Sequence, residues 1–548
     1  MIWKVSLRHA HSFFIILSLL LSIPSISAAQ DTDYDPQAEG DEERFEDLSD
    51  AEAVDGDDDF TNIEEIVVTI TKRKETVQDV PSAITGISAT QISQANIQNS
   101  GDLVTLIPNA VVKGQGGPIT IRGVAQSHSS QSPVAQHLNG IFRFNDDAFA
   151  GQYYDLARIE VARGPSGTVY GRNATSGAIN LIWMKPHEDV DVFGDVAIGN
   201  YERLEFRGGL NWPILGAGDE RLMARFAFQR ASHDGYLDNL EQPDSSRDPA
   251  AQDLEHFRAS FRSKPIDPLT IDVRSFWTQN YPGSGASRPW SAYPESGKIF
   301  FGALELDTDS YEFAEPIPLD VRQVRSKSFL IGRNRLQHWG VDAEVRYEID
   351  GVRWLGDLEL VALGGAEWRR AAGVSDADGS DPQILDTERD DETVAGTFDL
   401  RALTSNAEYV NWIVGFFFYQ HTLDRFQQTF SFLNIPSLPL TTDLNIDSTR
   451  HAQNSGFAPY FNINVTPFDW LEVFGGFRWN QDKIEVDEVN FDSTPLPLRP
   501  GSELSGSQSF GEPTGEIGVK SEWTDGKIVY AKFARGYKAG NIELRADG

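Results

Sequence analysis

The chain has 548 residues, with 82 Asp or Glu against 47 Lys or Arg, and a formal net charge of −35 at pH 7. This balance argues against nucleic acid and against docking on anionic lipid, because both are recognised by clusters of Lys and Arg. The hydrophobic content of 40% is too low for a bundle of membrane helices. The absence of Cys suits an exported protein that crosses an oxidising compartment.

The first 29 residues are typical of a secretory signal peptide. A basic region with Lys4 and Arg8 precedes an apolar run at residues 13–23 and a small-residue cleavage site at residues 27–29. The apolar run is too short to cross the ~30 Å hydrocarbon core of a bilayer. We therefore predict export, and any membrane insertion must use β-strands because no later run is apolar and long enough to cross as a helix.

An acidic leader follows at residues 30–62. Between residues 31 and 60, fifteen residues are Asp or Glu and only Arg44 is basic. Self-repulsion and scarce apolar residues predict a disordered tether rather than a folded domain. The run Asp55-Gly56-Asp57-Asp58-Asp59 lacks the ligand spacing and the closing Glu of a calcium loop, so we expect no calcium site there.

A short β-prone run, Glu64-Glu65-Ile66-Val67-Val68-Thr69-Ile70, comes next within residues 63–71. On composition alone, this run is best explained as the first strand of the following domain. Alternatively, a strand held out on a flexible leader can add to the sheet edge of another protein. The residues alone leave both interpretations open.

Residues 79–180 carry a series of motifs rich in Gly, Pro and Asn. In chain order they are Asp79-Val80-Pro81-Ser82, Gly101-Asp102-Leu103-Val104, Ile107-Pro108-Asn109-Ala110, Ile119-Thr120-Ile121-Arg122-Gly123, Leu138-Asn139-Gly140-Ile141 and the long stretch 159–180. The glycines of the last stretch recur at turn spacing. The stretch lacks the Gly-Lys-Ser/Thr ending of a nucleotide-binding loop, so we do not expect it to bind a nucleotide. The ordered set resembles the plug domain of TonB-dependent outer-membrane receptors, and residues 64–70 resemble their TonB box.

The resemblance implies a mainly β fold, in which an N-terminal α/β plug fills the lumen of a transmembrane antiparallel β-barrel. The implied domains are a signal peptide (1–29), an acidic leader (30–62), the TonB box (63–71), the plug (72–187) and the barrel (188–548). The residues implied to couple to TonB are Glu65, Ile66, Val67, Val68 and Thr69. Two positions depart from the family: Asn139 stands where Asp is usual, which puts a charge-pair role there in doubt, and Trp183-Met184-Lys185-Pro186 replaces a basic exit.

Arginines of the plug are candidates for holding it in the barrel. A buried guanidinium group needs a carboxylate partner, and plug arginines of the resembled family pair with acidic residues of the barrel wall. We therefore predict that Arg122 and Arg163 lock the plug to the barrel, with Glu160 as a local partner. Arg172 is equally well explained as an ordinary surface arginine.

From about residue 190 the sequence alternates with a two-residue period. Leu204, Phe206 and Trp212 alternate with polar neighbours, and the stretch 339–349 repeats the pattern. One apolar and one polar face are typical of a transmembrane barrel, although a soluble β-sandwich also alternates. We count about thirteen such strands.

Connection lengths distinguish the barrel from the sandwich, because outer-membrane barrels have short periplasmic turns and long extracellular loops. We predict short turns near 213–219, 265–268, 350–351, 405–406, 467–469 and 525–526. We predict long loops near 233–253, 280–335, 370–391, 425–453 and 488–511. If the first strand runs outward from the periplasm, every short turn is periplasmic and every long loop is extracellular. The aromatic girdles at the two membrane interfaces are expected to contain Trp212, Trp277, Trp470 and Trp479.

The segment 529–540 resembles one found well inside the barrels of the family. Plugged transporters have about 22 strands. Because we count only about thirteen here, we predict a partial sequence with roughly nine strands missing. An open sheet edge does not persist in lipid, which supports the same expectation.

The resemblance implies active import across the outer membrane of a Gram-negative bacterium. The implied ligand is a ferric siderophore, with cobalamin, nickel chelates or oligosaccharides as alternatives. The implied partners are TonB with its ExbB/ExbD energy source, outer-membrane lipid and lipopolysaccharide, and the barrel assembly machinery. The implied mechanism is that TonB seizes the TonB box by strand addition, pulls on the leader and remodels the plug.

Two polar or aromatic stretches of the plug are candidates for ligand contact. Gln126, Ser127 and His128 belong to a polar apical loop, and Phe142, Arg143 and Phe144 suit catecholate or carboxylate ligands. A solvated loop without ligand contact explains either stretch equally well. His128 and His137 lack the spacing of a metal site, and we expect no metal and no cofactor.

Three other classes of protein are less consistent with the sequence. An enzyme needs a nucleophile and base set, and the chain has no Gly-x-Ser-x-Gly, no His-Glu-x-x-His and no Cys, so we predict no catalytic residue. A passive porin has no need for a coupling strand and a plug. A receptor that also signals to transcription needs an extra folded domain before the TonB box, for which residues 30–62 are too few.

Overall fold

The computed structural model describes residues 67–69, 72–73, 75–76, 79–112, 118–124, 131–145, 149–168, 171–216, 218–239, 251–283, 298–301, 304–307, 323–324, 334–352, 356–376, 385–405, 407, 409–433, 442–492, 501–524, 527–542 and 544. The predicted signal peptide and acidic leader therefore lie outside the described residues. So do Glu65 and Ile66 of the TonB box, and the ligand candidates Gln126, Ser127 and His128.

The plug is built on a mixed five-stranded sheet with strand order β3-β8-β9-β6-β7. Its strands are β3 (Ile84–Ser88), β6 (Val134–Leu138), β7 (Ile141–Arg143), β8 (Leu156–Arg163) and β9 (Gly177–Trp183). Two small sheets flank it: β1 (Val67–Val68) with β2 (Glu75–Thr76), and β4 (Ala110–Val112) with β5 (Ile119–Ile121). Between β3 and β4 the chain forms the helices α1 (Ala89–Gln94) and α2 (Ser100–Thr105).

Both helices begin at residues whose side chains satisfy free backbone N–H groups. Ser88 and Gln91 form a capping box at α1, and the Asn99 side chain accepts hydrogen bonds from Gly101 and Asp102 at α2. Leu103 of α2 is fully buried against the apolar residues of the plug sheet. Neither these helices nor any other helix in the described part of the chain is long and apolar enough to span a membrane.

A thirteen-stranded antiparallel sheet follows the plug, and it confirms the predicted strand number. Its strands, each hydrogen-bonded to the next, are β10 (Asp191–Gly199), β11 (Arg203–Pro213), β12 (Leu222–His233), β14 (Gln252–Ile266), β15 (Leu269–Asn280), β19 (Arg335–Val352), β20 (Gly356–Asp376), β21 (Leu385–Ser405), β22 (Val410–Leu433), β23 (Thr442–Phe468), β24 (Leu471–Asp492), β25 (Ser502–Thr524) and β26 (Lys527–Arg535). Short strands lie in the long connections: β13 (Asp238–Asn239), β16 (Lys298–Phe301), β17 (Leu304–Asp307) and β18 (Gln323–Val324).

The two faces of this sheet differ as the two-residue period predicts. On β19 the side chains of Trp339, Val341 and Tyr347 are exposed, whereas Asp342 and Glu344 on the other face are buried. The exposed face is therefore apolar and suited to lipid, and the polar face is turned toward the plug. Trp183 of the plug packs edge-on against Phe276 of β15, with 6.0 Å between the ring centroids, so plug and sheet share one apolar core.

The predicted short turns agree with the strand ends, but the connection between β10 and β11 was not anticipated. It is a turn of three residues, Asn200 to Glu202, at the end of the sheet that carries the long loops. Tyr201 and Glu202 both have positive φ, of 59° and 53°, which closes this tight hairpin. The rule that every short turn lies at the periplasmic end is therefore wrong for the first hairpin.

Three of the predicted long loops are shorter than expected because their strands continue. The strands on either side of the loop predicted at 370–391 extend to Asp376 and from Leu385. Similarly, β22 continues to Leu433 and β24 to Asp492. Polar cross-strand pairs such as Arg370 with Asp390, 2.5 Å apart, support the ladder above the apolar zone. These segments were predicted as loops because charged residues such as Arg370, Asp390 and Lys483 interrupt the apolar residues of the outward face.

Candidate functional site

The residues of the predicted TonB box that the structure describes are paired within the chain. Val67 and Val68 form β1, which pairs with Thr76 and Glu75 of β2 through a turn in which Lys72 N–H donates to Thr69 O at 2.8 Å. We call residues 67–76 the coupling hairpin. Val68 is fully buried in a small cluster with Val80 and Ala162. The segment is thus neither an unpaired arm nor a strand of the main plug sheet.

The first point of attachment of the coupling hairpin is Glu160 of β8. Its Oε1 accepts hydrogen bonds from the Thr69 backbone N–H at 2.8 Å and from the Thr69 hydroxyl at 3.0 Å. Arg158 Nε donates to the same oxygen at 2.8 Å, which balances the charge of the fully buried carboxylate. Glu160, predicted as a partner for the locking arginines, therefore holds the coupling hairpin to the plug.

The second point of attachment joins the coupling hairpin to the barrel wall. Lys72 Nζ donates to Asp399 Oδ2 of β21 at 2.7 Å and to the Tyr460 hydroxyl of β23 at 2.8 Å. Arg401 Nη1 donates to the same carboxylate at 2.9 Å. Burial lowers the pKa of Lys72 to about 8, although the Asp399 carboxylate opposes that shift. The hairpin is thereby bound to the plug and to the barrel at once.

Other buried ion pairs hold the plug against the wall. Arg143 Nη1 lies 3.0 Å from Glu367 Oε2 of β20, and its Nη2 lies 3.6 Å from Asp342 Oδ2 of β19. On another side the charges are reversed, since Asp155 of the plug pairs with Arg225 at 2.6 Å. Arg258 of β14 also pairs with Asp155, at 2.8 Å. A buried pair is costly to break because the remaining charge loses its partner.

The arginines predicted to lock the plug occupy other surroundings. Arg122 is exposed, with a positive φ of 55°, and its guanidinium lies beside Gly164. Neither Arg122 nor Arg163 forms an ion pair within the described residues, so a lock through a barrel carboxylate stays a prediction for both. Arg172 is buried, with Nη1 4.0 Å from Asp482 Oδ1 of β24 and its guanidinium carbon 4.8 Å from the centre of the Tyr419 ring. The surface interpretation of Arg172 is therefore wrong.

The second set of ligand candidates is mostly enclosed. Phe142 and Arg143 are buried, and the Arg143 side chain is engaged by Glu367. Phe144 is half-buried and stacks on the His421 ring of β22, with 4.7 Å between the centroids. The geometry favours a locking role for Arg143 and leaves Phe144 as the accessible member of the set. Ligand contact stays a prediction for all three residues.

Asn139, where the resembled family usually has Asp, closes the hairpin between β6 and β7. Asn139 and Gly140 have positive φ of 53° and 82°, the conformation in which Asn-Gly is strongly favoured. The Asn139 side-chain oxygen accepts a hydrogen bond from the backbone N–H of Trp183 at 2.9 Å. Asn139 therefore has a structural role in the turn that needs no charge.

His137 neighbours this turn in the plug sheet. Burial and the nearby cations Lys72, Arg478 and Arg143 lower the pKa of His137 to about 3, so its ring is neutral at physiological pH. Within the described residues, no group of His, Asp or Glu side chains is arranged to hold a metal ion.

Comparison with known proteins agrees with this architecture. Residues 76–178 match the family model of the TonB-dependent receptor plug domain. The chain is 22% identical over 479 residues to the pesticin receptor of Yersinia enterocolitica, covering 86% of this chain and 63% of that receptor. It therefore spans less than two thirds of the length of this curated relative.

Solved structures share the fold. The ferric yersiniabactin uptake receptor FyuA of Yersinia pestis superposes with a TM-score of 0.64 at 17% identity, covering 85% of this chain and 67% of that chain. The open form of the ferric-catecholate import receptor Fiu of Escherichia coli K12 gives a TM-score of 0.56 at 15% identity, covering 85% of this chain and 71% of that chain. Residues 76–178 are therefore a TonB-dependent receptor plug domain, and the thirteen-stranded sheet has the fold of the barrel wall in outer-membrane receptors of this kind.

Proposed function

We propose that this receptor imports a ferric siderophore across the outer membrane, with TonB supplying the pull. The observation that carries the proposal is the coupling hairpin, which is bound to the plug through Thr69 and Glu160 and to the barrel through Lys72 and Asp399. A force applied to the leader reaches the plug and the wall through these contacts. The siderophore assignment is supported by the relatives, which include receptors for ferric yersiniabactin and ferric catecholates.

The strength of the sheets determines the order of events under such a pull. Strand β1 pairs with β2 over only two residues, whereas β8 and β9 of the plug pair over their whole length. A hydrogen bond contributes roughly 0.5–1.5 kcal/mol net, so the coupling hairpin opens before the plug sheet does. The freed β1 then adds to a sheet edge of TonB, which is the recognition mode that an extended segment allows.

The remaining partners follow from this proposal. TonB draws its energy from ExbB and ExbD, the exposed apolar face of the sheet contacts outer-membrane lipid and lipopolysaccharide, and the barrel assembly machinery inserts the strands. Import of cobalamin or an oligosaccharide is the alternative for the ligand, and a passive porin-like channel is the alternative for the activity. A passive channel does not account for a hairpin that is bound both to the plug and to the barrel wall.

Uptake of iron-55 by cells carrying the full-length receptor tests the proposal. The probes are a panel of ferric siderophores that includes ferric yersiniabactin and a ferric catecholate, and the variants are Val67→Pro and Val67→Ala. Proline removes the N–H that strand addition needs, whereas alanine keeps it. We expect Val67→Pro to lose uptake and keep surface binding, and Val67→Ala to keep both. Equal uptake by the two variants overturns the coupling assignment, and no binding of any probe overturns the ligand class.

A further inference from the structure

A cavity lies between the coupling hairpin, the plug sheet and the inward face of the barrel wall. Thr69 and Lys72 of the hairpin form one side, and His137, Asn139 and Asn180 of the plug form another. Strands β15, β19 to β22 and β24 supply the wall. The coupling hairpin therefore forms one side of this cavity.

The lining of the cavity has more basic than acidic side chains, although Arg158, Arg274 and Arg346 also pair with carboxylates outside the lining. Against two carboxylates, Glu344 and Asp399, it presents seven basic side chains. The basic residues are Lys72, Arg158, Lys185, Arg274, Arg346, Arg401 and Arg478. The chain as a whole has the opposite balance, with 82 acidic against 47 basic residues. An excess of cations here therefore runs against the composition of the molecule.

A second cavity, lined by Arg73 and Glu75 of the coupling hairpin, lacks this excess. It presents three basic side chains, Arg73, Lys520 and Lys532, against four carboxylates, those of Glu75, Asp79, Glu472 and Glu516. The hairpin thus separates a cationic cavity from one of mixed charge. Withdrawal of the hairpin removes part of the lining of each cavity.

Two cations of the first cavity form no ion pair within the described residues, although the Glu344 carboxylate acts on Lys185 and the Asp399 carboxylate acts on Arg478. Lys185 is exposed and forms no ion pair in the part of the chain that the structure describes. Arg478 is buried, donates to Asn480 Oδ1 at 3.0 Å and lies over the Phe417 ring at 5.1 Å, again without an ion pair among described residues. A cavity whose lining has an excess of one sign of charge between low-dielectric walls attracts ions of the opposite sign.

Resting on the function proposed above, we propose that this cavity is the narrow part of an anion-selective passage that the coupling hairpin closes. The substrate class is then a chelate of net negative charge, such as a ferric complex of carboxylate or phenolate groups. The plug stays held to β12, β14 and β15 by Asp155 and by the contact of Trp183 with Phe276, and to β19 and β20 by Arg143. The passage therefore opens at the part of the wall that Lys72 contacts, on β21 and β23.

Planar bilayers containing the full-length receptor test this without TonB or siderophore, with potassium chloride as the probe. Asp399→Asn and Lys72→Met each remove one side of the hairpin's attachment to the wall. We expect both variants to show openings that are rare in the parent, with a reversal potential that indicates preference for chloride over potassium. Adding Lys185→Glu should lower the chloride-to-potassium permeability ratio severalfold. Lys483→Glu, the same charge change on the outer part of β24, should leave the ratio unchanged.

Each outcome decides one part of the proposal. Openings that prefer potassium, or that ignore Lys185→Glu, overturn the anion-selective passage. If both variants insert as folded, heat-modifiable barrels and remain closed, the coupling hairpin is not the gate. Loss of siderophore uptake in cells with chloride-selective openings in bilayers contradicts only the proposed ligand. The two proposals therefore fail separately.

Discussion

Lys72 and Asp399 lie 327 positions apart in the chain, and yet Lys72 Nζ is 2.7 Å from Asp399 Oδ2. The contact joins the residue that follows the predicted TonB box to the inner face of β21, where Arg401 and Tyr460 share the same carboxylate. Release of Lys72 therefore disconnects the coupling hairpin from the barrel wall.

Asp399→Asn should expose the coupling hairpin more than Lys72→Met does. Asparagine leaves two partly buried cations, Lys72 and Arg401, without a carboxylate, whereas methionine leaves Asp399 paired with Arg401. With a single cysteine at Val67, the rate of thiol labelling should rise at least about tenfold in Asp399→Asn, equivalent to ~1.4 kcal/mol. Labelling rates equal to the parent's in both variants contradict a restraining role for this contact.

The restraint should strengthen with rising pH. The pKa of Lys72 falls from 10.5 when solvated to about 8 when bound, so the released hairpin holds more protons between those values. The bound state is therefore favoured progressively from pH 8 to 10.5, and this gain is lost as the pH falls through 8. A spin label at position 67 should show a smaller mobile fraction at pH 10 than at pH 7. The trend should vanish in Lys72→Met.

Removal of Arg143 should destabilise the seating of the plug. Arg143→Met leaves the buried Glu367 carboxylate with a hydrogen bond to His338 Nε2, 3.0 Å away, and without its arginine partner. Loss of one member of a buried pair costs about 3–5 kcal/mol. We expect the plug to become susceptible to proteolysis at lower urea concentrations. Lys483→Ala, which breaks the exposed pair with Glu485, is the control and should cost less than about 1 kcal/mol. Equal protection of Arg143→Met and parent contradicts a locking role.

Phe144 is the member of the second predicted ligand set that remains partly accessible. Its ring stacks on that of His421. Phe144→Ala should weaken the binding of a ferric siderophore to cells about tenfold, because an aromatic contact of this kind contributes roughly 0.5–1.5 kcal/mol beyond its buried area. Phe142→Leu, a change inside the buried cluster, should bind ligand as the parent does. If titration shows the reverse order of affinities, Phe144 is a packing residue only.

Much of the barrel could be predicted because a strand places alternate residues on opposite faces. Trp339 and Asp342 of β19 occupy the expected outer and inner faces for that reason. The upper parts of β20 to β24 were not predicted as strands, since charged side chains such as Arg370 and Lys483 stand on their outward face in place of apolar ones. Backbone pairing continues regardless, as the cross-strand pair of Arg370 and Asp390 shows.

The contacts of the candidate site could not be predicted from one sequence. Arg122, Arg143, Arg163 and Arg172 are similar in local context, and only tertiary packing decides which of them meets a wall carboxylate. The strand pattern does place Asp399 on the inner face, between the outward Phe398 and Leu400. The strand pattern does not indicate that Lys72 is the partner of Asp399.

A reversible disulfide across the coupling hairpin tests the central claim most directly. Val67 and Thr76 are directly opposite in β1 and β2, at a spacing of about 4.5–5.5 Å between Cα atoms that a disulfide tolerates. The chain has no native Cys, so Val67→Cys with Thr76→Cys forms a single defined bridge. We predict that oxidised cells bind a ferric siderophore without importing it, that reductant restores import, and that each single-cysteine variant imports throughout. Import that continues with the bridge closed contradicts the claim that the coupling hairpin must open.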